Sequence, residues 1–176
     1  MKTARNIMIF LRVFYALLIL ERVFHADIAS AGFHTVLFIT TLAVPCVGKK
    51  EEYYVIDSFV VGLLMAAIFA GYFNLWNSTT VLGIDKLFHA VGGLILALFA
   101  AIVLKKYEKN RLLFAALIVS VALAIGAVWE VMEWFFTLLP APFTTGYSSF
   151  GLTDAMLDLV ADTFGAMIIA FWHLVR

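Results

Sequence analysis

Long apolar stretches recur along the chain and constrain its fold more than any other feature. A helix of about 17–25 apolar residues spans the hydrocarbon core of a bilayer. The chain divides into about six such stretches, with limits near 5–23, 28–47, 54–74, 85–104, 111–138 and 153–175. Pro45 and Gly48 follow the second stretch, and Pro140 and Pro142 follow the fifth, as expected of residues that end helices. The sequence therefore predicts an all-α, polytopic bundle of about six transmembrane helices.

The composition agrees with a protein that lies within a membrane. Of the 176 residues, 64% are hydrophobic and 14% are charged, whereas soluble domains carry about 25% charged residues. The formal net charge is zero, and no basic run is typical of nucleic-acid binding, so nucleic acid is excluded as a partner. The single Cys46 is too little for a cysteine-based metal site. We expect one integral membrane domain over residues 1–176, with membrane lipid around it.

Lysine and arginine are distributed unevenly between the two sides of the predicted bundle. If the links alternate from the N-terminus, one side receives Lys2, Arg5, Lys49, Lys50, Lys105, Lys106, Lys109, Arg111 and Arg176. The other side receives only Arg22 and Lys86, while Arg12 lies within the first helix. Cytoplasmic links carry the excess of basic residues. Both termini are therefore predicted to lie in the cytoplasm.

Acidic residues occur where a membrane helix is normally apolar. In this topology the fourth helix starts, the fifth ends and the sixth starts on the outer side. These three segments carry Asp85 and His89, Glu130 and Glu133, and Asp154, Asp158 and Asp162. Spacings of three or four residues put the groups of each helix on a common face. We expect three helices to bring carboxylates to one extracytoplasmic site.

Single residues of this set also have simpler interpretations. Asp85 or Asp154 could interact with the N-terminal dipole of its own helix. His89 could be an interhelical hydrogen-bond donor. Asp57, near the inner end of the third helix, could face the membrane surface. None of these interpretations accounts for the whole set.

The charge balance of the whole acidic set is not explained by the interpretations of its single residues. Six carboxylates compare with two bases on the same side, Lys86 and Arg22, either of which could pair with Glu130 or Glu133. A buried surplus of negative charge needs protons or a bound cation. Oxygen-rich sets with an imidazole suit Mg, Mn, Ca, Zn or non-haem Fe. A divalent metal, a protonated or water-filled polar network, and plain salt bridges all stay open at this point.

The leading hypothesis is a site for a divalent cation (Mg, Mn, Zn or Fe). Its predicted ligands are Asp85, His89, Glu130, Glu133, Asp154 and Asp158, and the deeper Asp162 is predicted to orient a ligand or accept a proton in a catalytic role. Such an ion could bind a phosphate and activate water or an alcohol, which suggests a phosphorylated lipid or envelope intermediate as substrate. Whether the protein is an enzyme stays open.

Two other functions compete with this hypothesis. A transporter or proton-coupled carrier could use the three aspartates of the sixth helix as a relay, helped by Asp57. The segment 166–171 is wholly apolar, which argues against a continuous path. A non-catalytic membrane protein could instead use the acidic cluster to bind a partner or to stabilise a homo-oligomer.

Three motifs in the second half of the chain carry a resemblance to a known family. They are DKLFHAVGG (85–93), EVMEW (130–134) and Asp154-x-x-x-Asp158-x-x-x-Asp162-x-x-Gly165. Over about residues 83–170 the chain resembles the YjdF-type inner-membrane family and, more distantly, the VanZ-like membrane proteins. The resemblance implies a small multi-pass protein of the cell (inner) membrane, and the VanZ-like link to glycopeptide resistance points to envelope chemistry.

Overall fold

The computed structural model describes residues 2–42, 50–73, 83–138 and 151–176, and its regular elements in these ranges are all helical. The α-helices are α1 Lys2–Phe24, α2 Ile28–Thr41, α3 Lys50–Tyr72, α4 Ile84–Val103, α5 Arg111–Thr137 and α6 Leu152–Val175. A short 3-10 turn, Lys105–Tyr107, follows α4. The predicted all-α class and the six helices are confirmed. The predicted helix-ending residues at 45, 48, 140 and 142 lie outside the described residues.

Four of the helices are long and apolar enough to cross a membrane. They are α3 to α6, with the spans Glu52–Tyr72, Ile84–Val103, Arg111–Phe135 and Leu152–Val175. α2 is a shorter apolar helix. Several membrane-crossing helices make this a multi-pass protein. The cytoplasmic placement of the termini stays a prediction.

The helix ends differ from the predicted limits mainly where charged residues extend an apolar segment. α3 begins at Lys50 rather than near 54, and α1 begins at Lys2 rather than near 5. Lysine and glutamate favour helix, but hydropathy detects only the apolar part that lies in hydrocarbon. In the opposite sense, the described part of α2 ends at Thr41 rather than near 47.

Local capping explains several helix starts. The Asp27 side chain accepts a hydrogen bond from Ser30 N at 3.2 Å and begins α2. The Asn110 side chain accepts from Leu113 N at 3.1 Å and begins α5. Gly151, at φ +96°, adopts a backbone conformation that favours glycine just before α6. Gly151 therefore marks the start of α6, the helix that carries Asp154, Asp158 and Asp162.

The helices form two compact units. Unit 1 contains α1, α2 and α3, and unit 2 contains α4, α5 as far as Trp134, and α6. The core of unit 1 is formed by Tyr15, Ile19, Ala31, Val61, Met65 and Ile68. The prediction of a single domain over the whole chain stays a prediction.

Unit 1 contains a buried ion pair that the sequence did not predict. Arg12 Nε donates to Asp57 Oδ2 and Arg12 Nη2 donates to Asp57 Oδ1, both at 2.8 Å. Nη2 also lies 3.1 Å from the carbonyl oxygen of Thr41. The Asp57 side chain is 0% exposed, so the interpretation that it faces the membrane surface is wrong. The pair connects α1 to α3, with a contact to the end of α2.

Unit 2 has a core made mostly of alanines, and α4 and α6 pack closely in it. Its buried members are Ala97, Ala100, Phe114, Ala115, Ile118, Ala122, Ala166 and Ala170. A Cβ atom on Gly93 would overlap the backbone carbonyl oxygen of Asp162, and one on Gly165 would overlap that of Ala90. Small residues at helix interfaces permit this backbone approach. The close crossing brings the polar ends of α4 and α6 together.

Candidate metal centre

His89 of α4 lies among carboxylates from all three helices of unit 2. Its Nε2 atom is 3.9 Å from Asp85 Oδ1, 3.7 Å from Glu130 Oε1 and 3.7 Å from Asp158 Oδ1. Each separation exceeds the 3.5 Å limit of a hydrogen bond. Atoms offered by Asp85, His89 and Asp158 all lie within 4.8 Å of one another, which is close enough to share one ion.

The other ring nitrogen of His89 is oriented by Asp162. His89 Nδ1 lies 3.3 Å from Asp162 Oδ2, and a carboxylate accepts, so a neutral ring carries its hydrogen on Nδ1. That tautomer leaves the lone pair of Nε2 directed at the three other carboxylates. The Asp162 carboxylate also packs against Gly126 of α5, where a Cβ atom would overlap Oδ2.

Glu130 has a buried oxygen without a hydrogen-bond donor among the described residues. The residue is 8% exposed, and its Oε1 atom is solvent-inaccessible and unbonded there. The nearest ionisable group in an ion-pair contact is His89, through Nε2. A buried polar atom without a partner costs about 1–3 kcal/mol, and more if it is charged. This oxygen therefore has a free coordination position inside the cluster.

Lys86 forms a second centre of contacts beside His89. Its Nζ atom lies 2.9 Å from Asp85 Oδ2, 2.5 Å from Asp154 Oδ1 and 2.6 Å from Asp158 Oδ1. The lysine side chain is 12% exposed. The first two distances are hydrogen bonds to carboxylates. Lys86 therefore pairs with aspartates, and not with Glu130 or Glu133 as one interpretation of the sequence allowed.

Glu133 has a different partner from Glu130, although both lie near the end of α5. Trp129 Nε1 donates a hydrogen bond to Glu133 Oε1 at 2.8 Å. This i,i+4 contact within the helix gives one Glu133 oxygen a neutral donor. The indole of Trp129 therefore hydrogen bonds to a residue that the sequence predicted as part of the site.

Negative charge exceeds positive charge in this cluster. Six carboxylates of unit 2 belong to it (Asp85, Glu130, Glu133, Asp154, Asp158 and Asp162), and the bases within ion-pair distance of them in the described residues are Lys86 and His89. In a low-dielectric interior this surplus requires protons or a cation. Four of the six carboxylates contact His89, so the predicted excess of acids over bases is present in this part of unit 2.

Two residues named with the site in the sequence belong to unit 1. Arg22 lies 3.3 Å from Asp27 Oδ2 and 3.9 Å from Glu21 Oε2, so it pairs with acids of its own unit. Asp57, the proposed helper of a carrier path, is bonded to Arg12. Gly126 was not recognised from the sequence, where its only signal was a glycine within an apolar helix.

The comparisons with known proteins identify a family but no activity. No curated protein and no solved structure matches the chain. The family model described as "Predicted membrane protein (DUF2238)" matches residues 6–176, so the similarity extends through unit 1, where no motif had been recognised. The YjdF-type resemblance stays a prediction, and the VanZ-like resemblance has no support. The chain belongs to the DUF2238 family of predicted membrane proteins.

Proposed function

We propose that the protein binds a divalent metal cation within unit 2, between His89 and the carboxylates of Asp85, Glu130 and Asp158. The observation that carries this proposal is the position of His89 Nε2, which faces one oxygen from each of the three carboxylates at 3.7–3.9 Å. A site that served only as a network of direct hydrogen bonds would bring these atoms closer together.

The spacing suits ligands of a common ion. Around a tetrahedral ion with bonds of about 2.0–2.2 Å, neighbouring ligand atoms are about 3.3–3.6 Å apart. The three separations from Nε2 are within a few tenths of an ångström of that range. One of these oxygens, Glu130 Oε1, is also buried without a hydrogen-bond donor among the residues that the structure describes, which is a second sign of a missing partner.

Asp162 completes the arrangement without being a ligand. Histidines that bind metals usually donate their other N–H to a carboxylate or carbonyl, which holds the ring and makes the ligand nitrogen more basic. The 3.3 Å contact of Nδ1 with Asp162 Oδ2 supplies this feature. We assign Asp162 the role of orienting His89.

One imidazole and three carboxylates favour Mn, Fe(II) or Zn as the bound ion. Mg is less favoured, because it binds imidazole more weakly. An ion held by these groups in a membrane protein suits the phosphate of a phosphorylated lipid or envelope intermediate, because a cation polarises phosphoryl oxygens. The extracytoplasmic side of the site follows from the predicted topology. Glu133 and Asp154 were predicted as ligands from the sequence, but the proposed ligand set leaves them out, because Glu133 accepts a hydrogen bond from Trp129 and Asp154 accepts one from Lys86.

Metal content and affinity test the proposal directly. Protein purified in detergent without chelator is analysed for metals, stripped, and titrated with Mn²⁺, Zn²⁺, Fe²⁺ and Mg²⁺ by calorimetry. We expect one ion per chain and, for Glu130→Gln, an affinity lower by at least about tenfold, the scale seen when groups around a metal are removed.

Glu133→Gln is the matched control, because it makes the same change one helical turn away and keeps an oxygen for the Trp129 hydrogen bond. Its affinity should stay within about twofold of the wild type. If no cation binds and none raises thermal stability, the site is a proton-bearing polar network and the proposal is wrong. If cation binds, titration with a short-chain phosphatidic acid, with and without the ion, tests the phosphate part separately.

A further inference from the structure

We infer that Lys86 is a tethered competitor for the cation: its ammonium holds a carboxylate oxygen that the ion needs, so the ion binds only when Lys86 releases it. This inference rests on the proposed function and concerns how the same site is regulated. Lys86 was not among the predicted ligands, and the proposed function does not use it.

Asp158 is the residue for which the two cations compete. Its Oδ1 atom lies in an ion-pair contact 2.6 Å from Lys86 Nζ, without the geometry of a hydrogen bond, and 3.7 Å from His89 Nε2. The Asp158 side chain is 2% exposed, so water offers the ammonium little compensation there. One oxygen therefore faces the built-in cation and the proposed ion position at the same time.

Asp85 is shared in a different way. Its Oδ2 atom contacts Lys86 at 2.9 Å, whereas its Oδ1 atom faces His89 Nε2 at 3.9 Å. A carboxylate can contact two cations through separate oxygens, so Asp85 does not force a choice between them. The competition is confined to Asp158.

A bound ion and the ammonium repel each other if both stay at Asp158. An ion bonded to Oδ1 would lie a few ångströms from an ammonium on the same oxygen. Two like charges repel more strongly in a buried site than in water, because the buried site screens them less. Lysine has a flexible four-carbon stem, and Asp154 already accepts a hydrogen bond from Nζ at 2.5 Å. The ammonium can therefore keep Asp154 while it leaves Asp158.

This arrangement has a functional consequence. Without an ion, Lys86 neutralises part of the acidic cluster through its contacts with the three aspartates. With an ion, the same charge is displaced, so ion affinity is reduced and the ion can be released. A site of six carboxylates without a tethered base would hold a divalent ion more tightly.

The test compares ion affinity in the wild type, Lys86→Gln and the control Lys109→Gln. Lys109 is exposed and lies beyond the far end of α4, so its variant makes the same change of net charge away from the site. We expect Lys86→Gln to lower the Kd for Mn²⁺ or Zn²⁺ at least tenfold and Lys109→Gln to leave it unchanged. Wild-type binding with an equal or weaker affinity in Lys86→Gln overturns the inference alone, whereas no binding in either protein overturns the proposed function as well.

A measurement on the wild type avoids any loss of folding in the variant. Reductive methylation of lysines, followed by mass spectrometry, reports how accessible Lys86 is with and without saturating Mn²⁺ or Zn²⁺. We expect labelling of Lys86 to rise when the ion binds, while labelling of Lys109 stays constant. Unchanged labelling of Lys86 at a saturating ion concentration contradicts the inference.

Discussion

The ion pair of Arg12 and Asp57 permits a quantitative prediction about stability. Replacing Arg12 with methionine keeps much of the apolar stem but removes both 2.8 Å contacts to the Asp57 carboxylate. Asp57 is 0% exposed, so water cannot replace the guanidinium. The variant must therefore bury an uncompensated carboxylate or protonate it.

The expected cost follows from the geometry. Hydrogen bonds to charged groups contribute about 1.5–3 kcal/mol each, and breaking a buried pair by removing one partner costs about 3–5 kcal/mol. We expect Arg12→Met to lose about 3–5 kcal/mol of unfolding free energy. Replacing both residues, as Arg12→Met with Asp57→Leu, leaves no buried charge and should cost less than Arg12→Met alone, since buried pairs exchange for apolar residues at little net cost.

Reversible unfolding in detergent by increasing SDS, followed by circular dichroism, measures these free energies. Arg5→Met is the control, because Arg5 lies on the same helix and is exposed; it should change stability by less than about 0.5 kcal/mol. The free energies lost in the two single variants, Arg12→Met and Asp57→Leu, are added and compared with the loss in the double variant. The double variant should be more stable than this sum predicts, by about 3 kcal/mol or more. Additive effects, within about 0.5 kcal/mol, would refute the reasoning.

Two further predictions concern unit 2. Gly165→Ala should destabilise the protein and weaken ion binding, because its Cβ would overlap the Ala90 carbonyl oxygen. Gly62→Ala should be neutral or stabilise α3 by up to about 1 kcal/mol, because the new Cβ would have no atom within 4 Å beyond its chain neighbours and the nearby backbone of its own helix. SDS unfolding and calorimetry measure both variants, and equal effects would contradict the proposed packing. Asp162→Asn should weaken ion affinity about 10–100-fold because it loosens His89, with the Glu133→Gln variant as reference, and unchanged affinity would show that Asp162 does not orient the ring.

The positions of the acids along the chain were sufficient to predict where the cluster of carboxylates around His89 lies. Asp85 with His89, and Asp158 with Asp162, share helix faces because an α-helix repeats every 3.6 residues. Hydropathy placed the start of α4, the end of α5 and the start of α6 at one end of the bundle. These local rules need no knowledge of how helices are rotated against each other.

The choice of partners within the site was decided only by the tertiary structure. The spacing of Glu130 and Glu133 does not distinguish them. In the described part of the chain, however, Glu130 Oε1 has no donor, whereas Glu133 accepts a hydrogen bond from Trp129. Lys86 could have paired with either glutamate, and it contacts three aspartates. The rotation and crossing of the helices decide such contacts.

Composition and periodicity by themselves determined the helical class, the membrane setting and the stretches that carry the acids, because each depends on the free energy of placing a side chain in lipid. They left Arg12 and Asp57 as two unrelated polar residues, 45 positions apart, whereas packing joins them in one ion pair. They also left Gly126 as an ordinary glycine, whereas its missing side chain provides space for Asp162. Contacts between helices depend on distances of a few tenths of an ångström, and only the folded arrangement defines those.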